Sequence, residues 1–279
     1  MRNVLLPLDD GDHVVSPLAT AALLRQRFGS HIDGVAVGPD MPEARAVDLT
    51  WSASSLFDPA KRLEIAHRIR DRFEQFMAAH SDPFHSHARQ QASFGFVDND
   101  LVKDTELGLL ARLYDMTVLP RLNVASDVPR MATLVSVMLR SGRPAMIAPP
   151  NPPQSVGKSI LIVWNGSIEG ARALGFASPF LDQADRIHII SPSTRQTSRL
   201  SPHELAVRLR NRGTNASLMP IDDDAPDPSG ERILAIAREL DADLLIRGAY
   251  TRSPLRQAFF GGVTRFLLEH SSISMLLAH

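Results

Sequence analysis

Between Asp243 and the C-terminus the chain gathers, in one strand-loop-helix unit, the residue types that handle anions. An apolar run, DLLIRG, ends at Gly248; the segment GAYTRSPLRQAFFGG follows, and a second apolar run, VTRFLLEH, begins at Val263. Glycine lets backbone N–H groups approach a bound anion, and the first turn of a helix carries N–H groups without intrahelical partners. Gly248 leaves the strand, Gly261 and Gly262 stand where the helix starts, Thr264 lies in its first turn, and Arg252 and Arg256 sit between. Such a loop suits a phosphate, because the helix N-terminus favours negative charge. The same glycines also serve as ordinary turn and cap residues and the arginines as solvated ones, so the local pattern leaves both readings open.

The stretch GAYTRSPLRQAFFGGVTRFLLEHSSISMLLAH resembles the C-terminal signature of the universal stress protein family. That signature reads Gly, two residues, Gly, nine residues, Gly, then Ser or Thr. Gly248 fills its first position, Thr251 replaces the second glycine, Arg252 to Phe260 spans the interval, Gly261 fills the third position and Gly262 replaces the hydroxyl residue. Val263 and Thr264 fit the usual continuation. In nucleotide-binding members the glycines and the hydroxyl hold the phosphates of ATP, and the residue matching Asn165, at the end of the domain's first strand, is usually an aspartate near the adenine. The resemblance therefore implies a site for ATP or another adenine nucleotide at Val163, Trp164, Asn165, Gly248, Thr251, Arg252, Gly261, Gly262, Val263 and Thr264. Three departures favour the alternative, an interaction scaffold of the same fold without nucleotide. Thr251 brings a Cβ to a crowded turn, Gly262 removes a phosphate hydrogen bond, and Asn165 keeps an acceptor but adds donors or simply makes an Asx turn.

Positioning that loop requires a sheet, and the sequence supplies one twice. VLLPLD at Val4 to Asp9 echoes ILIVWN at Ile160 to Asn165; DMTVLPR from Asp115 echoes DLLIRG from Asp243; PAMIA from Pro144 echoes SMLLA from Ser274. The order is the same in both halves, which marks an internal repeat. Continuous apolar strands alternating with amphipathic helices predict two tandem doubly wound α/β domains, each a five-stranded, mostly parallel sheet with helices on both faces. At 279 residues the chain is long enough for two domains. Pro149-Pro150-Asn151-Pro152-Pro153 continues neither strand nor helix and places the boundary, giving residues 1–150 and 151–279.

In the first half the pattern predicts helices over Pro17 to Phe28, Pro59 to His80 and near Asn99 to Tyr114, with strands at Ile32 to Val37 and near His87 to Phe94. Leu63, Ala66, Ile69, Phe73, Phe76 and Met77 form the expected buried stripe of the long helix. The second half predicts strands at Ser159 to Trp164, Arg186 to Ile190, Ala216 to Met219 and Ser274 to Ala278. Between them lie helices over Ile168 to Leu181, Pro202 to Arg212, Ser229 to Leu240 and Val263 to Ser271, all in the order the resemblance implies for one family domain.

Ligands of open α/β sheets sit beyond the carboxyl ends of the strands where the strand order reverses, which sets Val163 to Gly166 opposite Gly248. The first half keeps an aspartate, Asp9, but PRLNVASDVPRMATLVSVMLRSGRP contains no Gly-x-x-Gly, and Pro120 and Pro129 remove amides a phosphate would need. That half reads as a degenerate, mainly structural domain. The resemblance also implies that the fifth strands pair antiparallel, so Pro144 to Ala148 and Ser274 to Ala278 are expected to mate as an intramolecular domain pair, with a homodimer as the further arrangement.

Other groupings exclude more than they support. The net charge is −1 with Lys and Arg scattered, so no nucleic acid is expected as partner. The N-terminal segment lacks a signal-peptide core and no apolar run approaches membrane length, so no membrane and a cytoplasmic location are expected. The absence of cysteine removes disulfides, thiolate metal sites and cysteine nucleophiles. His85 and His87, with His67 and His80, are too few converging ligands to predict a metal. The run Asp222 to Asp224 with Asp227 lacks the features of a Ca²⁺ loop. The hydroxyl-rich segment Ser191 to Ser198 lacks a His and carboxylate at triad spacing, and NGSIEG is poor in the serines and glycines of a pyrophosphate loop. No catalytic residue is expected, so the chain reads as a binding protein and not an enzyme, and the resemblance implies a stress-associated regulatory role.

Overall fold

The computed structural model describes residues 1–38, 58–80, 93–123, 131–191, 201–219, 221, 228–249 and 262–279. The chain divides into two compact units, Met1–Leu119 with Pro129–Arg143, and Pro120–Val128 with Pro144–His279.

In the first unit the strands are β1 (Asn3–Leu8), β2 (His31–Gly38), β3 (Phe94–Lys103) and β4 (Met116–Leu119), in the order β3-β2-β1-β4. All are parallel, with Asn3 opposite His31, Val4 opposite Met116 and Ile32 opposite Phe94. Helices α1 (Val15–Phe28), α2 (Pro59–Ala79), α3 (Asp104–Leu110) and α4 (Met131–Arg140) complete it. Side chains alternate between the faces of a strand, yet β1 is buried at every position from Val4 to Leu8, so both faces of the sheet are covered. Helix α2 starts where Pro59 needs no N–H partner and the Asp58 carboxylate accepts from Ala60 N at 2.9 Å. Its buried stripe is Ala66, Ile69, Phe73 and Met77. Phe73 lies edge-on to Phe94, with ring centroids 5.9 Å apart, and tilted against Phe96 at 5.7 Å. Leu63, expected in that stripe, is 42% exposed, and half-buried Phe76 stacks on the His80 ring.

The third strand differs from the sequence expectation: it begins at Phe94, where the expected strand ended, and runs through residues expected in a helix. Val35 pairs with Val97 but Val37 pairs with Val102, so β3 takes its extra residues as an irregularity between two registers. The helix expected from Asn99 starts only at Asp104 and ends in a 3-10 turn, Ala111–Leu113.

The second unit contains β5 (Ala145–Ile147), β6 (Ser159–Val163), β7 (Arg186–Ile190), β8 (Ala216–Leu218), β9 (Leu244–Gly248) and β10 (Ser274–Ala278), in the order β5-β10-β9-β6-β7-β8. Its helices are α5 (Ile168–Phe176), α6 (Ser178–Leu181), α7 (Pro202–Asn211), α8 (Gly230–Glu239) and α9 (Gly262–His270). Every pair is parallel except β5 with β10, where Met275 faces Ile147 and Leu277 faces Ala145. β6 and β10 are buried at every residue. Three helices begin one residue after a serine whose hydroxyl accepts an N–H: Ser167 from Gly170 at 3.0 Å, Ser201 from Glu204 at 3.2 Å and Ser229 from Arg232 at 3.2 Å. The single helix expected over Ile168 to Leu181 divides at Ala177 because Pro179 has no N–H to donate four residues back.

The aspartates of the repeated Asp-strand motif act alike. Asp243 accepts four hydrogen bonds: Oδ1 from Gly157 N and Ser159 N, both at 3.0 Å, and Oδ2 from Ser155 Oγ at 2.6 Å and Lys158 N at 3.1 Å. It thereby ties the start of β9 to the start of β6. Asp115 Oδ2 accepts from Arg2 N at 2.6 Å and Asn3 N at 3.1 Å, tying β4 to β1 in the same way. Among the described residues no helix is long and apolar enough to cross a membrane.

Candidate functional site

In the second unit the chain runs β6 to β7 to β8 in one direction and then returns to place β9 on the other side of β6. The strand order therefore reverses between β6 and β9, and Val163 lies opposite Arg247 at the carboxyl end of that pair. A crevice at this position is where open α/β sheets take ligands.

The first rim of the crevice comes from the turn after β6. Trp164 extends the strand by donating its N–H to Ile190 O at 2.8 Å, and it is buried. Asn165 Oδ1 accepts from Ser167 N at 3.1 Å, Gly166 adopts φ +70°, and Ser167 caps α5. This is an Asx turn followed by an N-cap, in which Asn165 orders the loop that opens the helix.

The second rim comes from β9. Gly248 is buried, and a Cβ on it would stand 2.4 Å from Gly170 N and 2.7 Å from the Glu169 carbonyl carbon. The absence of a side chain at Gly248 thus lets the first turn of α5 pack on the strand, a protein contact where the sequence suggested space for a ligand. Gly262, the first residue of α9, differs: among the described residues a Cβ there would meet no atom within 4 Å, so their packing does not demand that glycine. Val263 is half-buried and Thr264 is buried in the same turn. Thr251, Arg252 and Gly261, with Arg256, lie outside the described residues. The structure therefore brings Val163, Trp164, Asn165 and Gly248 together around the first turn of α5 and places Gly262, Val263 and Thr264 at the start of α9.

A cavity of about 320 Å³ opens beyond the ends of β7 and β8, lined by Ser191, Ser201, His203, Leu218 and Met219 among others. Among the described residues Ser191 Oγ, buried there, has no hydrogen-bond partner. The rest of the hydroxyl-rich segment, His85, His87 and the run of aspartates from Asp222 lie outside the described residues. Among the described residues no group of three or more His, Cys, Asp or Glu side chains is placed to hold a metal.

The matching position in the first unit is occupied by the protein itself. Asp9 Oδ1 accepts from Gly11 N at 2.9 Å, and His13 Nε2 sits 2.9 Å and 3.0 Å from the two carboxylate oxygens. Arg72 Nη1 holds the turn by donating to Gly11 O at 2.9 Å. Sequence reasoning missed the His13 contact, although the i, i+4 spacing of an acid and a histidine was its visible signal.

The fold is that of a doubly wound α/β protein whose strand order reverses between β6 and β9. Residues 226–279 match the model of the universal stress protein family. A universal stress protein from Archaeoglobus fulgidus DSM 4304 shares the fold with a TM-score of 0.75, over 99% of this chain and 95% of its own, at 14% identity. A structure assigned to the same family from Pseudomonas aeruginosa UCBPP-PA14 gives a TM-score of 0.56 over 100% and 93% at 13% identity. No curated protein matches the sequence. The resemblance read from the C-terminal signature is thus borne out: residues 226–279 match that family's model, and the whole chain shares the fold of a solved universal stress protein.

Proposed function

We propose that the second unit is a nucleotide-responsive binding module, taking ATP or another adenine nucleotide at the switch point between β6 and β9 without turning it over. The observation that supports this reading is the lack of any described atom within 4 Å of a Cβ at Gly262, on the first turn of the helix that follows β9, where a helix N-terminus suits a phosphate. The family resemblance supplies the adenine nucleotide as the ligand. A second reading, an interaction scaffold that binds no nucleotide, is favoured by two other observations. Asn165 Oδ1 is engaged by Ser167 N, and Gly248 is explained by packing alone. The cytoplasm fits both readings.

Calorimetric titration with ATP separates them, together with the small-molecule content of denatured protein. Gly262→Asp has room for its side chain and sets a carboxylate against any phosphate. The nucleotide reading expects binding in the wild type and at least about a tenfold loss in Gly262→Asp with an unchanged melting temperature, since one charge-assisted contact is worth roughly 1.5–3 kcal/mol. No heat at millimolar ATP and no co-purified nucleotide would establish the scaffold instead.

A further inference from the structure

At the amino ends of β2 and β3 in the first unit, four side chains from three separate stretches of sequence form one hydrogen-bonded relay. Ser93, immediately before β3, has its Oγ 2.5 Å from His31 Nδ1. His31 Nε2 lies 2.9 Å from Asp33 Oδ1, and Tyr114 donates its hydroxyl to Asp33 Oδ2 at 2.9 Å. The parallel register sets Asp33 beside Gly95. A Cβ on Gly95 would stand 2.7 Å from Asp33 Oδ1 and 3.6 Å from His31 Nε2, so glycine at that position leaves room for the imidazole and carboxylate to meet. The backbone is pinned on both sides, because His31 N donates to Arg2 O at 2.6 Å and Ile32 N donates to Ser93 O at 3.1 Å.

The chemistry follows from donor and acceptor capacity. A carboxylate only accepts, so Nε2 of His31 carries the ring hydrogen when it bonds to Asp33, and Nδ1 is left as the acceptor for the Ser93 hydroxyl. Tyr114 is buried and remains a phenol: burial first, then the neighbouring Asp33 charge, pushes its ionisation far up, so it persists as a donor that fixes the second carboxylate oxygen. Ser93 is exposed, while the Asp33 and His31 side chains are 20% and 35% exposed.

We propose that Ser93, His31 and Asp33 form a nucleophilic serine site that accepts acyl groups from activated esters. Ser93 Oγ attacks the carbonyl carbon as its proton passes to His31 Nδ1. The Oγ–C bond forms, the C–OR bond breaks, and the alkoxide leaves with the proton from Nδ1. Water, deprotonated by the same nitrogen, then releases the acid and restores the serine. Asp33 and Tyr114 are positioning residues: they hold the tautomer and ring orientation and touch no substrate. The relay stands in a different unit from the proposed nucleotide crevice, so neither proposal rests on the other.

The test treats the intact protein with a fluorophosphonate, and separately with p-nitrophenyl acetate, and maps modified residues by mass spectrometry. Ser93 is expected to react at least about 100-fold faster than the chain's other serines, in keeping with general-base assistance. His31→Gln should bring Ser93 down to their level. Asp33→Asn, which lets the other tautomer form, should slow labelling at least about tenfold with a wild-type melting curve. Ser93 reacting no faster than other serines in the wild type, or equally fast in His31→Gln, would overturn the proposal.

Discussion

Asp115 and Asp243 show how one repeated residue carries the same load in two places. Each carboxylate gathers the backbone N–H groups at the start of the neighbouring first strand, so the register of β1 with β4, and of β6 with β9, is fixed at its amino end. For Asp115, burial alone would raise the carboxyl, but the Arg2 and Asn3 amides and the Arg143 charge outweigh it and hold the group below its ordinary 3.8. A depressed folded value stabilises the native state above the unfolded value and loses that contribution as pH falls through the folded one. Asp115→Asn is therefore expected to lower stability by about 1 kcal/mol at pH 7, and the gap should close in acid, below 3.8. Urea melts at pH 7 and pH 3 read this directly; a gap that stays constant would contradict it. Gly248 and Gly262 divide equally clearly. Gly248→Ala forces a Cβ onto the backbone of α5 and should cost about 1–3 kcal/mol, whereas Gly262→Ala enters open space and should be neutral or stabilise by about 0.5–1 kcal/mol. Paired thermal melts check the contrast, and equal losses would remove the packing role assigned to Gly248.

At the scale of elements, legibility followed the physics of each signal. Strands with a dense apolar run, such as Ile187, Ile189 and Ile190 in β7 and Met275 to Ala278 in β10, are bounded by polar residues, so their limits were visible in sequence. β3 was not, because its run FGFVDNDLVK holds three polar residues that read as a helix start, and only pairing with β2 shows that they belong to a register break. The Ser93, His31 and Asp33 relay was invisible for a related reason: its serine and histidine are 62 residues apart and meet only through strand pairing. In the crevice, Asn165 was legible as an Asx turn, but the role of Gly248 depended on where α5 would lie. Packing of α2 on this sheet gives a further prediction. A Cβ on Gly34 in β2 would stand 2.9 Å from the Phe96 ring and 3.0 Å from that of Phe73, which is fully buried. The fully buried Phe73 ring has no space to withdraw, so Gly34→Ala should cost about 1–3 kcal/mol. A melting temperature equal to wild type would mean that the rings repack freely.

At the scale of the whole molecule, the repeat and the compact unit do not end at the same residue. β5 comes from the first sequence repeat, yet it is the antiparallel partner of β10 and falls within the second compact unit. Residues just after β4 do likewise: Leu122 N donates to Leu268 O at 3.1 Å, and the Arg121 guanidinium bonds the Glu269 carbonyl, both on α9. A fragment cut at the proline-rich boundary, residues 151–279, would retain β10 but lose the strand that covers its edge. An uncovered edge of buried residues, SMLLA, offers unpaired N–H and C=O groups to another chain, and antiparallel β10 to β10 pairing is the geometry nearest to the one lost. This fragment is expected to self-associate with concentration, whereas residues 144–279 restore three strand residues, Ala145–Ile147, that can fold back onto β10 and suppress association. Sedimentation velocity over a hundredfold concentration range distinguishes the two. If residues 151–279 stay monomeric throughout, edge protection by β5 is not what closes the second sheet; if both fragments associate alike, the contacts of Arg121 and Leu122 with α9 become the ones whose loss matters.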